Sequence, residues 1–485
     1  MSAEPRGAAR SADPAGGVAL VSLYTSAATI HTRAVHGVFA AWRWALVWLT
    51  QFVFYGLPWL TWNARPAVLF DLASRRFYIF NLILYPQDFI FLTGLLVLAA
   101  YSLFLFTAVA GRLWCGYACP QTVYTEIFMW VEHHLEGDRT ARIRLDQSPW
   151  NGNKLLRRGS KHLVWAAIGL WTGLSFVGYF TPIRALVASL LNLGLGPWEL
   201  FWVLFYGFAT YGNAGFMREQ VCKYMCPYAR FQSAMFDHDT LIISYDEKRG
   251  EPRGGRPRKA DRAPGGLGDC VDCLACVQVC PTGIDIRKGL QYECIGCAAC
   301  IDGCDQVMDR MGYPKGLIRY ASENALEKHL DAAAMWRRML RPRTLIYTGL
   351  LLAIVAGTGA SLALRNPLKV DIIRDRGALA REASPGVIEN VYQLQIMNTD
   401  EKPRQFTVTA AGLPGIKVTG VAQPVVVGAA SSLLVPIQLQ VAAEEADGKG
   451  AEGRRSGSRK VEIVVQADDD PAVVRREASS FLFPR

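Results

Sequence analysis

Twelve cysteines fall into four compact groups with none left over: Cys115/Cys119, Cys222/Cys226, Cys270/Cys273/Cys276/Cys280 and Cys294/Cys297/Cys300/Cys304. Such grouping is metal-ligand arithmetic, because a disulfide framework scatters its partners more widely, and ligating thiolates require a reducing compartment. The third group reads Cys270-Val-Asp-Cys273-Leu-Ala-Cys276-Val-Gln-Val-Cys280-Pro281, and the fourth Cys294-Ile-Gly-Cys297-Ala-Ala-Cys300-Ile-Asp-Gly-Cys304. Three cysteines at this spacing wrap one 4Fe-4S cubane, and the trailing fourth reaches to the neighbouring cluster. The expected ligands are Cys270, Cys273, Cys276 and Cys304 for one cluster, and Cys294, Cys297, Cys300 and Cys280 for its partner. Structural zinc is the competing reading, but zinc ribbons use two Cys-x-x-Cys pairs parted by a longer spacer. Small residues at Gly296, Ala298 and Ala299 let the loop close and aim N–H groups at sulfur. Asp305 stands where a proline is usual, which touches the local turn and removes no ligand.

The other two groups form a coarse internal repeat. Gly111-Arg-Leu-Trp-Cys-Gly-Tyr-Ala-Cys-Pro-Gln and Gln220-Val-Cys-Lys-Tyr-Met-Cys-Pro-Tyr each end an apolar hairpin in Cys-x-x-x-Cys-Pro. On a helix, positions i and i+4 share a face and the proline stops the helix. Cys115, Cys119, Cys222 and Cys226 are therefore expected to converge as a soft-metal site, a further cluster or a redox dithiol system, with inert buried thiols as the bland alternative. His133, His134 and Glu136 beside the first pair, and Met225 inside the second, are weaker ligand candidates than they are solvated or interfacial side chains. None of the seven histidines lies in an apolar stretch, so a bis-histidine haem lacks ligands. No Gly-rich dinucleotide fingerprint and no catalytic carboxylate set is present, so NAD and flavin have no support.

These groups must be positioned by membrane spans. The chain of 485 residues is 51% apolar, and a span takes about 20 mostly apolar residues. Five stretches qualify: Phe39 to Leu60, Phe89 to Ala110, Leu163 to Phe180, Trp198 to Phe216 and Leu345 to Leu364. The loop after the second span carries Arg112, Arg139, Arg142, Arg144, Lys154, Arg157, Arg158 and Lys161, whereas the loop after the third carries only Arg184. The positive-inside rule places the former in the cytoplasm and, with it, the amino terminus and all twelve cysteines; the carboxyl terminus lies outside. Loop 61–88, with Arg65, Arg75 and Arg76, is assigned outside and fits that rule poorly. The net charge of +10 follows this topogenic pattern, and nucleic acid is not expected as a partner.

The expected organisation is a disordered tail (1–37), four transmembrane helices with both Cys-x-x-x-Cys-Pro motifs (38–236), a cytoplasmic α+β two-cluster ferredoxin-like insert (237–343), a fifth transmembrane helix (344–364) and a periplasmic all-β sandwich of immunoglobulin type (365–485). Within the insert, Lys248 to Gly268 reads as a flexible lead and Glu323 to Arg338 as an amphipathic helix. About seven short strands are expected in the sandwich, among them runs beginning at Lys369, Val391, Phe406, Leu433 and Val461, with Ala442 to Arg459 a loop between strands.

This order of features resembles the cytochrome c oxidase accessory protein family, called CcoG, FixG or RdxA, over nearly the whole chain. The resemblance implies a protein of the bacterial inner membrane that serves biogenesis of the cbb-type haem-copper oxidase and reduces Cu(II) to Cu(I) before copper insertion. It further implies that the eight cysteines from Cys270 to Cys304 ligate the clusters and that Cys115, Cys119, Cys222 and Cys226 are the membrane-proximal thiols. Membrane lipid, oxidase subunits or copper chaperones, and a cytoplasmic electron donor of open identity are the implied partners. Two further readings stand beside it: a quinol-linked electron conduit to another redox partner, and an assembly scaffold whose sandwich docks oxidase subunits.

Overall fold

In a computed structural model of the chain, the described residues are 30–257, 266–328, 330, 332–374, 380–442 and 457–483. The first 29 residues of the expected tail, part of the lead 248–268 and most of the loop 442–459 lie outside them.

The amino-terminal half is helical: α1 (Val38–Gly56), α2 (Phe89–Ala110), α3 (Leu113–Tyr117), α4 (Pro120–Glu136), α5 (Arg139–Gln147), α6 (Gly152–Val177), α7 (Ile183–Leu191) and α8 (Pro197–Gly212). α6 and α8 pack through glycine. A Cβ at Gly173 would lie 2.2 Å from the Val203 carbonyl oxygen and one at Gly169 2.8 Å from that of Gly207, so only hydrogen fits. After α8 the chain loosens into π-turns at Asn213–Met217 and Val221–Met225, separated by α9 (Arg218–Gln220), and resumes as α10 (Pro227–Met235). Helices occupy each expected span, but among the described residues two, Pro86–Ala110 and Pro342–Ala363, are long and apolar enough to cross a membrane. Arg43, Gln51 and the tryptophans lower the apolarity of α1, the first half of α6 is cationic, and α8 has 16 residues.

Loop 61–88 is built of short strands rather than coil: β1 (Thr61–Trp62), β2 (Arg65–Pro66) and a meander of β3 (Val68–Asp71), β4 (Arg76–Ile79) and β5 (Leu82–Leu84). Leu69, Tyr78, Ile83 and Tyr85 cluster with Met397 of the carboxyl-terminal domain. Two arginines that suit the positive-inside rule poorly are bound there: Arg65 pairs with Glu401, and Arg76 donates to the Ala430 carbonyl at 3.2 Å and Ser432 Oγ at 2.9 Å.

In the middle region β6 (Ile242–Tyr245) pairs antiparallel with β7 (Ile318–Ala321) across the cysteine loops, which carry α11 (Glu247–Gly250), α12 (Ala275–Gln278) and α13 (Ala299–Met311). The expected amphipathic helix over 323–338 is two shorter helices, α14 (Glu323–Glu327) and α15 (Ala332–Met339). α16 (Pro342–Ala363) follows, opened by Pro342 in the first helical turn, where its missing N–H costs nothing.

The carboxyl-terminal domain packs two antiparallel sheets face to face. One has the order β12-β14-β10-β8 with β9 added on β10, and the other β13-β11-β15-β16; the strands are β8 (Leu368–Arg374), β9 (Arg381–Ser384), β10 (Val387–Asn398), β11 (Arg404–Ala411), β12 (Lys417–Thr419), β13 (Val425–Val427), β14 (Ser432–Ala442), β15 (Gly457–Ala467) and β16 (Val474–Phe483). Among the described residues this makes nine strands against about seven expected. β9, β12 and β13, each of four residues or fewer, are too short to register an alternation. Alternate residues such as Tyr392, Leu394 and Ile396 of β10 and Val461, Ile463 and Val465 of β15 interdigitate in one core with Phe406 and Phe481. Phe481→Ala should destabilise this sandwich by about 3–5 kcal/mol, read as a lower urea midpoint for proteolysis of the domain in the intact protein.

Candidate iron-sulfur and thiol site

The two ferredoxin-type loops fold alike. The residues two and four places after each leading cysteine are left-handed: Asp272 (φ 49°) and Leu274 (φ 58°) in the first loop, Gly296 (φ 71°) and Ala298 (φ 58°) in the second. Three of these are not glycine, and a loop that reverses hand twice turns successive N–H groups inward, as anion-binding nests do. Backbone N–H groups of Gly296 and Ala299 accordingly point at the sulfurs of Cys294 and Cys297. The motifs then diverge. Pro281 follows α12 closely, whereas Asp305 lies inside α13 and accepts from the Gly316 N–H at 2.9 Å, so the turn that a proline would impose is replaced by continued helix.

Chain folding gathers the eight thiols around two small cavities. Cys270, Cys273, Cys276 and Cys304 line one, and Cys280, Cys294, Cys297 and Cys300 line the other, with Cys276 on the wall between. All are free thiols. Burial pushes Cys276, Cys297 and Cys304 up to about 12 and Cys294 to about 11, so bare thiolates are strongly disfavoured and a ligated group must bring positive charge. All-sulfur cavities lined by four cysteines each, with inward N–H groups, fit an iron-sulfur cluster.

The Cys-x-x-x-Cys-Pro pairs are built differently from the expected single helix face. Cys115 sits in α3, but Cys119 caps α4 with Pro120 in its first turn; Cys226 caps α10 with Pro227 in the same place, and Cys222 lies in a π-turn. Proline opens the second helix because its ring and missing N–H suit the first helical position. Two helix N-termini therefore face the thiols, where their dipoles favour negative charge. N–H groups of Gln121 and Thr122 point at the Cys119 sulfur. Cys115, Cys119, Cys222 and Cys226 lie within electrostatic reach of one another, and burial raises Cys115 to about 12 and Cys222 to about 11.

The two thiol regions abut. A Cβ on Gly116 would lie 2.6 Å from the Gly296 carbonyl oxygen and 2.9 Å from Cys297 Cα, so the first Cys-x-x-x-Cys motif rests backbone to backbone on the second cluster loop. Cys222 and Cys297 line a common cavity. Arg112 is buried between them: it donates to the carbonyls of Tyr292, Cys294 (3.1 Å) and Ala229 of α10 (2.6 Å), and its charge reaches Cys115, Cys222 and Cys294. Arg43 of α1 donates to the Cys297 carbonyl at 2.6 Å, and Asp302 of α13 caps α1 by accepting from the N–H of Ala40 at 2.7 Å and of Phe39 at 3.2 Å. Residues 30–37, expected within the disordered tail, form a strap: Arg33 N–H donates to the Gln278 carbonyl at 2.8 Å and Ala34 N–H to Asp138 at 3.1 Å.

Charge counting reads Arg112 as topogenic, and nothing in the local pattern marks Gly116 or Asp302. The available signal was a buried-type arginine inside an apolar helix, which by default has a partner worth naming. The weaker candidates do not join the thiols. Glu136 pairs with Lys161 at 2.9 Å, His133 faces Asp138 at 3.9 Å, His134 Nδ1 lies 2.8 Å from the Trp130 carbonyl, and Met225 is exposed.

Family profiles match these units: a 4Fe-4S binding domain at residues 91–136, a 4Fe-4S dicluster domain at 217–323, and the Ig-like fold at the C-terminal of FixG at 358–484. Nitrogen fixation protein FixG of Rhizobium meliloti (strain 1021) is 38% identical over 456 residues, covering 86% of this chain and 87% of the relative. The chain belongs to the FixG/RdxA family. Protein RdxA and protein RdxB of Cereibacter sphaeroides are 40% and 42% identical, over 81% and 80% of this chain and 85% and 83% of their own lengths. A crystal structure of a FixG-related protein from Vibrio parahaemolyticus aligns with 25% of this chain and 100% of its own, at 19% identity and TM-score 0.21. Membership in this family, with 4Fe-4S domains over both thiol regions, makes the chain an iron-sulfur electron-transfer protein.

Gly116→Val should force the second cluster loop away while sparing the first. Anaerobically purified protein is then expected to lose about half of its iron and acid-labile sulfide, with one EPR signal surviving reduction by dithionite. Arg112→Met should do the same, and Arg112→Lys, which keeps the charge without the planar fork, should fall between.

Proposed function

We propose that the chain is a multi-pass protein of the bacterial inner membrane that delivers single electrons to Cu(II), yielding Cu(I) for assembly of a cbb-type haem-copper oxidase. In this reading α1, α2, α6, α8 and α16 form a five-helix bundle spanning residues 38–236 and 344–364. The amino terminus and the ferredoxin-type insert, 237–343, face the cytoplasm, and the sandwich, 365–485, faces the periplasm. Lipid-facing side chains in keeping with it include Phe52, Leu163, Phe205 and Phe208, all exposed on their helices.

The observation that carries the redox reading is the cavity shared by Cys222 and Cys297, beside the contact of Gly116 with Gly296. Cys270, Cys273, Cys276 and Cys304 are assigned to one cluster and Cys280, Cys294, Cys297 and Cys300 to the other. Bound there, 4Fe-4S clusters supply one-electron reducing equivalents. The chain holds the second cluster loop against the Cys115/Cys119/Cys222/Cys226 quartet, and Arg112 offsets negative charge in both places. The quartet binds copper: one electron converts Cu(II) to Cu(I), and soft thiolates retain the product. Oxidase subunits or a copper chaperone would receive it, with the external sandwich as the docking module.

Protein purified anaerobically with intact clusters and reduced with dithionite should reoxidise on addition of Cu(II), with Cu(I) appearing in stoichiometric amount in a chelator assay. Cys222→Ser should retain the clusters yet slow this step by about tenfold or more. Reduced protein that stays reduced in the presence of Cu(II) would remove copper from the account.

A further inference from the structure

A cavity of about 550 Å³ opens beside the second cluster loop, between α1 and α4. Its volume suits a small organic ligand, for which pockets of about 300–1,000 Å³ are usual. Cys297 forms part of its floor, and Trp44 and Trp130, edge to face at 6.4 Å between ring centres, form an aromatic wall. Glu126 and His133 supply proton-accepting groups at its margin. Its buried cations are already engaged: Arg43 with the Cys297 carbonyl at 2.6 Å and Glu126 at 3.7 Å, Arg142 with Glu132 at 2.7 Å. Neither is left to hold a phosphate inside the cavity, and the remaining arginine of its lining, Arg33, is exposed at the rim, which disfavours a buried nucleotide or flavin phosphate. Along α1 the wall continues into the exposed apolar side chains Trp48 and Phe52, so the cavity is continuous with the face assigned above to lipid.

We infer that this cavity is the docking site of a membrane-soluble hydroquinone that serves as electron donor, an assignment that rests on the membrane iron-sulfur reading given above. The ring stacks against Trp44 and Trp130 next to Cys297. In the step itself the hydroquinone gives up two electrons and two protons and leaves as the quinone. The clusters that Cys280, Cys294, Cys297 and Cys300 and that Cys270, Cys273, Cys276 and Cys304 would hold supply one one-electron acceptor each, which balances the pair given up, and Cys276 lies on the wall between the two cavities. The protons pass to Glu126 and His133 and from there to cytoplasmic water. A two-electron donor and a one-electron acceptor such as Cu(II) thereby explain why a pair of clusters stands between them.

The test uses full-length protein with intact clusters in phospholipid nanodiscs, photolabelled with an azidoquinone under anaerobic conditions and mapped by peptide mass spectrometry. Label is expected on segments 40–44 and 126–134 and is displaced by excess ubiquinone. Ala41 lines the cavity and is exposed, so Ala41→Trp should fill the site without disturbing a core, abolishing both the displaceable label and cluster reduction by a short-chain ubiquinol. Glu126→Gln should keep the label and slow that reduction. Label scattered over all apolar helices and insensitive to ubiquinone, or ubiquinol-driven reduction unchanged in Ala41→Trp, would overturn the assignment. Dithionite reduction followed by Cu(II) addition in the same samples reports on the copper reading independently, so the two can fail separately.

Discussion

A single buried cation, Arg112, holds the two thiol regions in one unit. Its fork reaches carbonyls of the second cluster loop and of α10, and its charge acts on cysteines of both regions. An arginine so placed is costly to desolvate unless it is fully paired, and carbonyl oxygens on two elements, together with nearby sulfur, meet that demand. Asp302 on the N-terminus of α1 and Arg43 on the Cys297 carbonyl repeat the device on the other side of the loop. Together these contacts let Gly116 and Gly296 approach until their backbones touch, leaving no room for a side chain between redox site and thiol quartet.

Electrostatics explains why so many weak positive ends converge here. Burial pushes the thiols of Cys115, Cys222, Cys276, Cys294, Cys297, Cys300 and Cys304 toward the neutral form, while ligation of metal requires thiolate. Inward N–H groups of the cysteine loops, the N-termini of α4 and α10, and Arg112 all lower that cost without introducing a mobile counter-ion. The proline after Cys119 and after Cys226 is part of this design, since it starts the helix whose dipole faces the sulfur.

At the far end of the bundle the sandwich is fastened to the helices. Asp88, at the start of α2, binds Lys369 and lies 3.6 Å from Arg365 at the start of the domain, while the meander of loop 61–88 adds an apolar cluster with Met397. α16 thus runs into the sandwich beside the start of α2, and the ion pairs at Asp88 hold the domain against the helices.

Local sequence determined the eight cysteines that line the two cavities as a set, the existence of the two repeated Cys-x-x-x-Cys-Pro motifs, the places of the helices at the five expected spans and the main strands of the sandwich. Each of these is written in spacing or periodicity over a short stretch, from Cys270 to Cys304 or along β10 and β15. Tertiary structure alone decided that Gly116 rests on Gly296, that Arg112 and Arg43 turn inward to the second loop, that Asp302 caps a helix more than 200 residues away, and that Cys119 and Cys226 begin helices instead of sharing one with their partners. Such contacts join residues distant along the chain, and their free energy comes from burying paired charge and backbone in one place, which no window of sequence records.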